Sequence, residues 1–204
     1  MTEADRQGAP VRGIENIPLL YDAMSSIYDW LGLGRWRKAV VEGAQGRTLD
    51  IGCGTGRNLP LYPPGVRVFG VDLNPDALKR ARSRSPSVPL VRASAEQLPF
   101  RAGSFDTVVS GLVFCSVRDP ARGFGEVKRV LRASGQLRML EHVRAQGQLA
   151  ARLQDAIQPI WTWITGGCHP NRDTERAVEQ AGFAIEDRER RARKNMRRFS
   201  ARPS

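Results

Sequence analysis

Thr48-Leu-Asp-Ile-Gly-Cys-Gly-Thr-Gly-Arg57 places three glycines, Gly52, Gly54 and Gly56, directly after a short apolar run that carries one acid, Asp50. Glycine at this spacing lets the backbone turn sharply and lets a ligand approach where a Cβ would clash. A second acid, Asp72, closes the next apolar run, Val66-Arg-Val-Phe-Gly-Val71. An acid about 20 residues beyond a glycine-rich turn is what a ribose needs, because one carboxylate accepts hydrogen bonds from both ribose hydroxyls. The two features together predict an adenosine-containing cofactor. The spacing is GxGxG and not the GxGxxG of dinucleotide folds, and no Gly-Lys-Ser/Thr of a P-loop follows.

Outward from this stretch the chain alternates. Short runs that are apolar on both faces, as buried parallel strands are, stand at 48–51, 67–71, 89–92, 105–110 and 135–141. Helical stretches fall between them near 57–61, 75–83, 95–98 and 120–131. Pro75 and Pro120 suit first-turn positions, with Asn74 and Asp119 as N-caps. This alternation implies a doubly wound sheet with right-handed crossovers. Ligands of such sheets bind at the carboxyl ends of the strands, where Asp50, Asp72, Ser110 and Glu141 fall. Before the first strand, Ile17 to Ala44 carries apolar residues at helical spacing and predicts one or two helices. Residues 148–165 are amphipathic: Leu149, Leu153, Ile157, Ile160, Trp161 and Ile164 fall near one face, and Pro159 is expected to break or kink the helix. Gly166 to Arg172 reads as a loop, Asp173 to Ala181 as a helix capped by Asp173 or Thr174 and ended by Gly182, and Phe183 starts a further strand.

Four blocks resemble the class I methyltransferases that use S-adenosylmethionine: Asp50-Ile-Gly-Cys-Gly-Thr-Gly56; Val71-Asp-Leu-Asn74; Ala95-Glu-Gln-Leu-Pro-Phe100 with Ser104-Phe-Asp106; and Glu126 to Arg132 leading to Gly135. Their order and separations fit that family over roughly residues 45–185. The resemblance implies an α/β fold, a Rossmann-like, mainly parallel sheet with helices on both faces and an N-terminal helical cap. It implies that Asp50 lies near the methionine amino group and that Gly52 and Gly54 form the floor under methionine and ribose. Asp72 would hold the ribose, Leu73 would lie against adenine, and Ala95 and Glu96 would line the adenine end. Many relatives have an aspartate where Ser94 stands. Ser110 to Phe114 would pass beneath the transferred methyl.

Later pieces, Leu112-Val-Phe-Cys-Ser-Val117, Leu140-Glu-His-Val143 and Gln154 through Arg172, look like the branch of thiol S-methyltransferases of animal lipid droplets and endoplasmic reticulum, similar in turn to phospholipid and quinone methyltransferases. Those relatives end in a strand that completes the sheet. Here residues 190–204 are strongly basic and read as a poor strand. The division expected is therefore a flexible arm at 1–16, one methyltransferase domain at 17–189 and a basic C-terminal tail at 190–204. Tyr21-Asp22 and Tyr28-Asp29 resemble the N-terminal Tyr-Asp pairs of quinone-type relatives, with the tyrosines either packing or touching cofactor or substrate.

His142, after Glu141 at the end of the fifth strand, faces the expected acceptor pocket. A neutral imidazole there could take a thiol proton near pH 7, or could be structural and bonded to backbone. His142 and Glu141 are the catalytic candidates. Cys115, Trp161 and His169 are candidates for substrate contact, with packing as the other role for Trp161 and a plain loop position as the other role for His169.

The three cysteines, Cys53, Cys115 and Cys168, lack metal-ligand spacing along the chain, so no metal is expected and reduced thiols fit a cytoplasmic protein. No run of about 18 apolar residues stands anywhere in the chain, so no transmembrane helix is expected, and Met1 to Arg12 has no apolar core of a secretory signal. The net charge is +11, with eight Lys/Arg against three Asp/Glu from Glu186 onward. That charge suits a solvated tail, peripheral contact with an anionic membrane, or nucleic acid, although only Phe199 could serve as a stacking platform there. The sequence thus points to methyl transfer onto a small apolar or lipid-like acceptor. RNA methylation, and a cofactor-binding protein docking through its basic tail, are the alternatives.

Overall fold

A computed structural model describes residues 13–14 and 17–204. The expected N-terminal arm lies almost wholly outside the described residues. In chain order the elements are α1 (Pro18–Tyr28), a π turn (Asp29–Leu33), α2 (Gly34–Glu42), β1 (Arg47–Ile51), a 3-10 turn (Leu59–Leu61), β2 (Arg67–Asp72) and α3 (Pro75–Arg84). There follow β3 (Leu90–Arg92), β4 (Phe105–Gly111), α4 (Pro120–Val130), β5 (Leu131–His142), α5 (Gln148–Thr165), α6 (Thr174–Gln180), β6 (Phe183–Arg193) and β7 (Met196–Pro203).

The seven strands form one sheet in the order β3-β2-β1-β4-β5-β7-β6. Strands β1 to β5 pair in parallel, and β7 runs antiparallel between β5 and β6. Parallel strands must be covered on both faces, which is why Thr48, Leu49, Asp50 and Ile51 are all buried. The order reverses between β1 and β4, where Ile51 pairs with Val71 on one side and with Ser110 on the other. The carboxyl ends of β1, β2, β4 and β5 thus line up along one rim, beside this switch point. The main core holds Phe105, Phe114, Phe124 and Phe199 with Leu49, Leu137 and Met139. Phe114 and Phe124 stack with ring centroids 4.0 Å apart and tie the loop after β4 to α4.

Local signals act as expected at three caps. Asn74 accepts from the amides of Asp76 and Ala77, Asp119 from that of Arg122, and Asp173, not Thr174, from that of Arg176. Two local expectations are corrected. Residues 95–98 form a turn and not a helix, because the Ser94 hydroxyl accepts the Glu96 amide and offers the backbone a competing bond. Helix α5 runs unbroken through Pro159, which lies exposed, where a freed carbonyl can meet water.

The largest correction is at the C-terminus. Residues 190–204 are not a tail: β7 pairs with both neighbours, and Phe199, Ser200 and Ala201 are buried. Part of the basic charge is met by acids. Arg190 pairs with Glu175, Arg202 with Glu186, and Arg138 of β5 reaches Glu189. Strands β6 and β7 take up residues 190–193 and 196–203, so this segment belongs to the sheet and is not a free arm. No helix among the described residues is long and apolar enough to cross a membrane.

Candidate functional site

The glycine turn builds the first half of the site. Gly52 and Gly54 adopt φ of 61° and 54°, where a side chain is strained. A Cβ on Gly52 would meet the Val113 side chain at 2.4 Å, whereas a Cβ on Gly54 would meet nothing closer than 3.9 Å. Gly52 is therefore small for packing, and Gly54 leaves a cradle open toward the cleft. Beside it Asp72 accepts the amides of Gly54 and Asn74, each at 2.8 Å. Burial raises the Asp72 pKa, opposed by backbone amides including those of Asn74 and Gly54. Each carboxylate oxygen keeps a further lone pair, enough to take a diol. Leu73 is 58% exposed, and with Ala95 and Glu96 it lines the same end of the cleft. Glu96 itself accepts the Asp119 amide.

Asp50 is fully buried, and neither of its oxygens has a hydrogen-bond partner among the described residues. Burial lifts its pKa to about 7, opposed by Tyr62, Arg37 and Asn58 around it. Asp50 does not itself line the cleft, although the neighbouring Ile51, Gly52 and Gly54 do; a buried acid with two unmet acceptors beside them fits a ligand that brings an ammonium group. The residues present therefore fit S-adenosylmethionine: Asp50 and Asp72 for its charged and hydroxyl groups, the glycines for its close approach.

The α1 segment closes over this half through its acids, a role that the sequence reading did not assign. Asp22, on α1, accepts the Thr55 hydroxyl at 2.6 Å and also faces Arg57, Arg80 and Arg84. Asp29 takes Arg37 at 2.9 Å and Arg57 at 2.6 Å. The Tyr-Asp pairs thus act first through their aspartates, with Tyr21 and Tyr28 lining the cleft.

The second half lies at the ends of β4 and β5. Glu141 is fully buried, and its carboxylate accepts the Ser110 hydroxyl at 3.1 Å and the amides of Val113, Phe114 and Cys115 at 2.9, 3.0 and 3.4 Å. With Leu112 at φ 63°, this clamp sets the path of the loop after β4. Glu141 and Ser110, expected in catalysis and cofactor contact, are thus placed behind the loop as its support and do not line the cleft. His142 and Cys115 do line it, and so does Trp161. His169 does not: its Nδ1 bonds the Gly167 carbonyl, and its amide donates to the Cys115 carbonyl at 2.8 Å. Arg172, given no role from the sequence, donates to the carbonyls of Phe114 and Val117. Cys168, buried and also given no role, sits with its sulfur 3.9 Å from Nδ1 of His142. Hydrogen bonding from Cys115 and then from His142 holds the Cys168 thiol below the usual range, against its own burial.

One cleft of about 2380 Å³ joins both halves, from Gly54 and Asp72 to Cys115, His142 and Trp161. Its mouth is bordered by α1, the π turn and α5, whose apolar residues face outward. Trp30 is 85% exposed, Leu149 83% and Trp163 77%. Of the apolar stripe expected on α5, Leu153, Ile157 and Trp161 line the cleft, while Leu149 and Ile160 face solvent.

A doubly wound sheet with a glycine turn and two acids, the buried Asp50 and the part-buried Asp72, beside its switch point is the architecture of a cofactor-binding α/β domain. Residues 49–139 match the family described as a methyltransferase domain. Demethylmenaquinone methyltransferase of Lactiplantibacillus plantarum is 30% identical over 174 residues, 74% of this chain and 70% of that protein. The thiol S-methyltransferase TMT1B of Rattus norvegicus is 39% identical over 144 residues, 67% of this chain and 59% of that protein. The chain thus spans about three-fifths of the length of that relative. A solved complex of the Haloferax volcanii Trm112 methyltransferase activator and a methyltransferase aligns with a TM-score of 0.74 at 15% identity, covering 95% of this chain and 99% of that one. At that identity the likeness speaks for the fold alone. The chain belongs to the class I S-adenosylmethionine-dependent methyltransferases, the family whose four motifs it carries.

Proposed function

We propose that the chain transfers a methyl group to a small apolar acceptor, foremost a thiol, with a lipid-like amine or quinol as the other acceptor class. The observation that carries this reading is the single cleft that runs from the Gly54 and Asp72 cradle to His142, Cys115 and Trp161. The cofactor supplies an electrophilic methyl on its sulfonium, so the chain has three tasks: to align, to exclude water and to remove a proton where the acceptor has one.

Asp50 and Asp72 would hold the charged and hydroxyl groups of the cofactor. The loop from Leu112 to Cys115, fixed by Glu141 and Arg172, would set the wall against which the acceptor aligns. His142 would take the proton of a thiol through its imidazole, with Glu141 as the support of the loop and no direct part in the chemistry. Trp161 and Cys115 would pack against the acceptor. The outward apolar residues of α1, the π turn and α5 support peripheral contact with an anionic membrane, from which a lipid-soluble acceptor would enter the cleft.

The test is transfer of labelled methyl from S-adenosylmethionine to two acceptors side by side, a small alkyl thiol and vesicles of phosphatidylethanolamine. Label in the thioether supports thiol methylation. Label in the lipid moves the reading to the amine class, and label in neither refutes both.

A further inference from the structure

Cys115, His142 and Cys168 come from three separate elements, the loop after β4, the end of β5 and the loop after α5. Each offers one ligand atom, and the three atoms lie within 4.8 Å of one another. Cys168 Sγ lies 3.9 Å from His142 Nδ1. Zinc-class bonds of about 2.3 Å to sulfur and about 2.0 Å to nitrogen place tetrahedral ligand atoms roughly 3.5–3.8 Å apart. The cluster therefore needs a contraction of about 1 Å or less to close on such an ion.

The scaffold is already tight. The His169 amide donates to the Cys115 carbonyl at 2.8 Å, joining the two cysteine loops. Arg172 bonds the carbonyls of Phe114 and Val117 on the far side of Cys115. Gln154 of α5 ties the Val143 and Pro170 carbonyls at 3.2 and 2.6 Å, holding the Cys168 loop against the end of β5. The Thr165 hydroxyl accepts the Cys168 amide, and the Thr162 hydroxyl donates to the Cys168 carbonyl.

We propose that Cys115, Cys168 and His142 form a three-ligand site for a soft divalent cation of the zinc class, with its fourth position open to the acceptor end of the cleft. Two thiolates and a neutral imidazole balance a divalent charge and favour zinc over hard cations. Both cysteines bind as thiolates, so any proton a thiol still carries is released on binding. Cys115 and His142 line the cleft while Cys168 lies behind them, so the uncovered side of the site faces the acceptor. An open fourth position is the mark of a reactive and not a purely structural site. An acceptor thiol would fill it as thiolate with its proton released to solvent, and in that loaded form His142 is a ligand and the ion, not the imidazole, favours loss of the proton. That last step rests on the thiol reading of the cleft. Cation binding does not.

The test is titration of the reduced full chain with cobalt(II), followed by back-titration with zinc. The expected result is one equivalent of cobalt with near-ultraviolet thiolate-to-cobalt bands and the intense visible bands of tetrahedral geometry. Cys115→Ser and Cys168→Ser should each weaken binding at least a hundredfold, whereas Cys53→Ser should leave it unchanged. Absence of a thiolate band in the wild-type chain, or equal affinity in Cys168→Ser, overturns the site. The wild-type spectrum decides even where a serine variant does not fold. Addition of a small alkyl thiol to the cobalt form should shift the visible bands. An unchanged spectrum refutes the thiol at the fourth position and leaves the three-ligand site standing.

Discussion

The Thr55 hydroxyl, inside the glycine turn, donates to the Asp22 carboxylate on α1 at 2.6 Å, so the segment that covers the cofactor cleft is bonded to the loop that forms its floor. Asp22 is buried and also faces Arg57, Arg80 and Arg84, and its carboxyl is held below the usual carboxylate range by Thr55 and Arg84 against the effect of burial. Removal of one partner from a buried charged cluster costs about 3 kcal/mol. Asp22→Ala should therefore lower the melting temperature by about 6–12 °C and weaken binding of S-adenosylhomocysteine. Thr55→Ala, which removes one hydrogen bond, should cost only about 1 kcal/mol. Equal melting temperatures for Asp22→Ala and the wild type would dissociate the first helix from the cofactor loop.

Asp72 stands at the end of β2 with both oxygens on backbone amides and lone pairs to spare. Two bonds from ribose hydroxyls to this carboxylate are worth about 1.5–3 kcal/mol each. Asp72→Ala should weaken S-adenosylhomocysteine a hundredfold or more by calorimetry, about 3 kcal/mol or above. Affinity within a few-fold of wild type would remove Asp72 from the ribose site.

Asp50 should make cofactor binding depend on pH. Its folded pKa is raised to about 7 by burial, while an unfolded aspartate ionises near about 3.9. The stability it contributes is full below about pH 4 and is lost as pH rises through about 7, because the folded state keeps the proton longer. Cofactor binding has the opposite sign, since only the anion pairs with an ammonium. Affinity for S-adenosylhomocysteine should rise about tenfold between about pH 6 and 8, as the ionised fraction rises. Asp50→Asn should flatten that profile, and a profile as steep in the variant would assign the titration to another group.

His142 lines the acceptor end of the cleft, with its Nδ1 facing Cys168. His142→Ala should slow turnover on a thiol by about 10²–10³-fold, with S-adenosylhomocysteine affinity within twofold of wild type. Steady-state kinetics and calorimetry separate the two effects. Unchanged turnover would leave His142 with a structural role.

The outward faces should carry membrane contact. Trp163 and Leu149 lie on α5 away from the cleft lining and are largely exposed. Each apolar side chain transferred from water is worth about 1.5–3 kcal/mol. Trp163→Ser and Leu149→Ser should each lower co-sedimentation with anionic vesicles by about tenfold and leave turnover on a soluble thiol unchanged. Vesicle binding equal to wild type would leave these faces without a membrane role.

The sequence by itself determined the fold core and the class of cofactor. Periodicity, Gly52, Gly54, Asp72 and the Asn74 and Asp119 caps are local signals, each read within a strand, a turn or one helical turn. Tertiary structure decided what depends on partners far along the chain. Residues 190–204 read as a basic tail because charge outweighs pattern in a count, yet the neighbouring strand edge and the acids Glu175 and Glu186 turn them into a strand. Glu141 read as reactive because it sits at a strand end, but the amides of Val113, Phe114 and Cys115 converge on it and make it a support. Cys115 and Cys168 lack ligand spacing in sequence and still meet beside His142, because the loops after β4 and α5 come together at the end of β5.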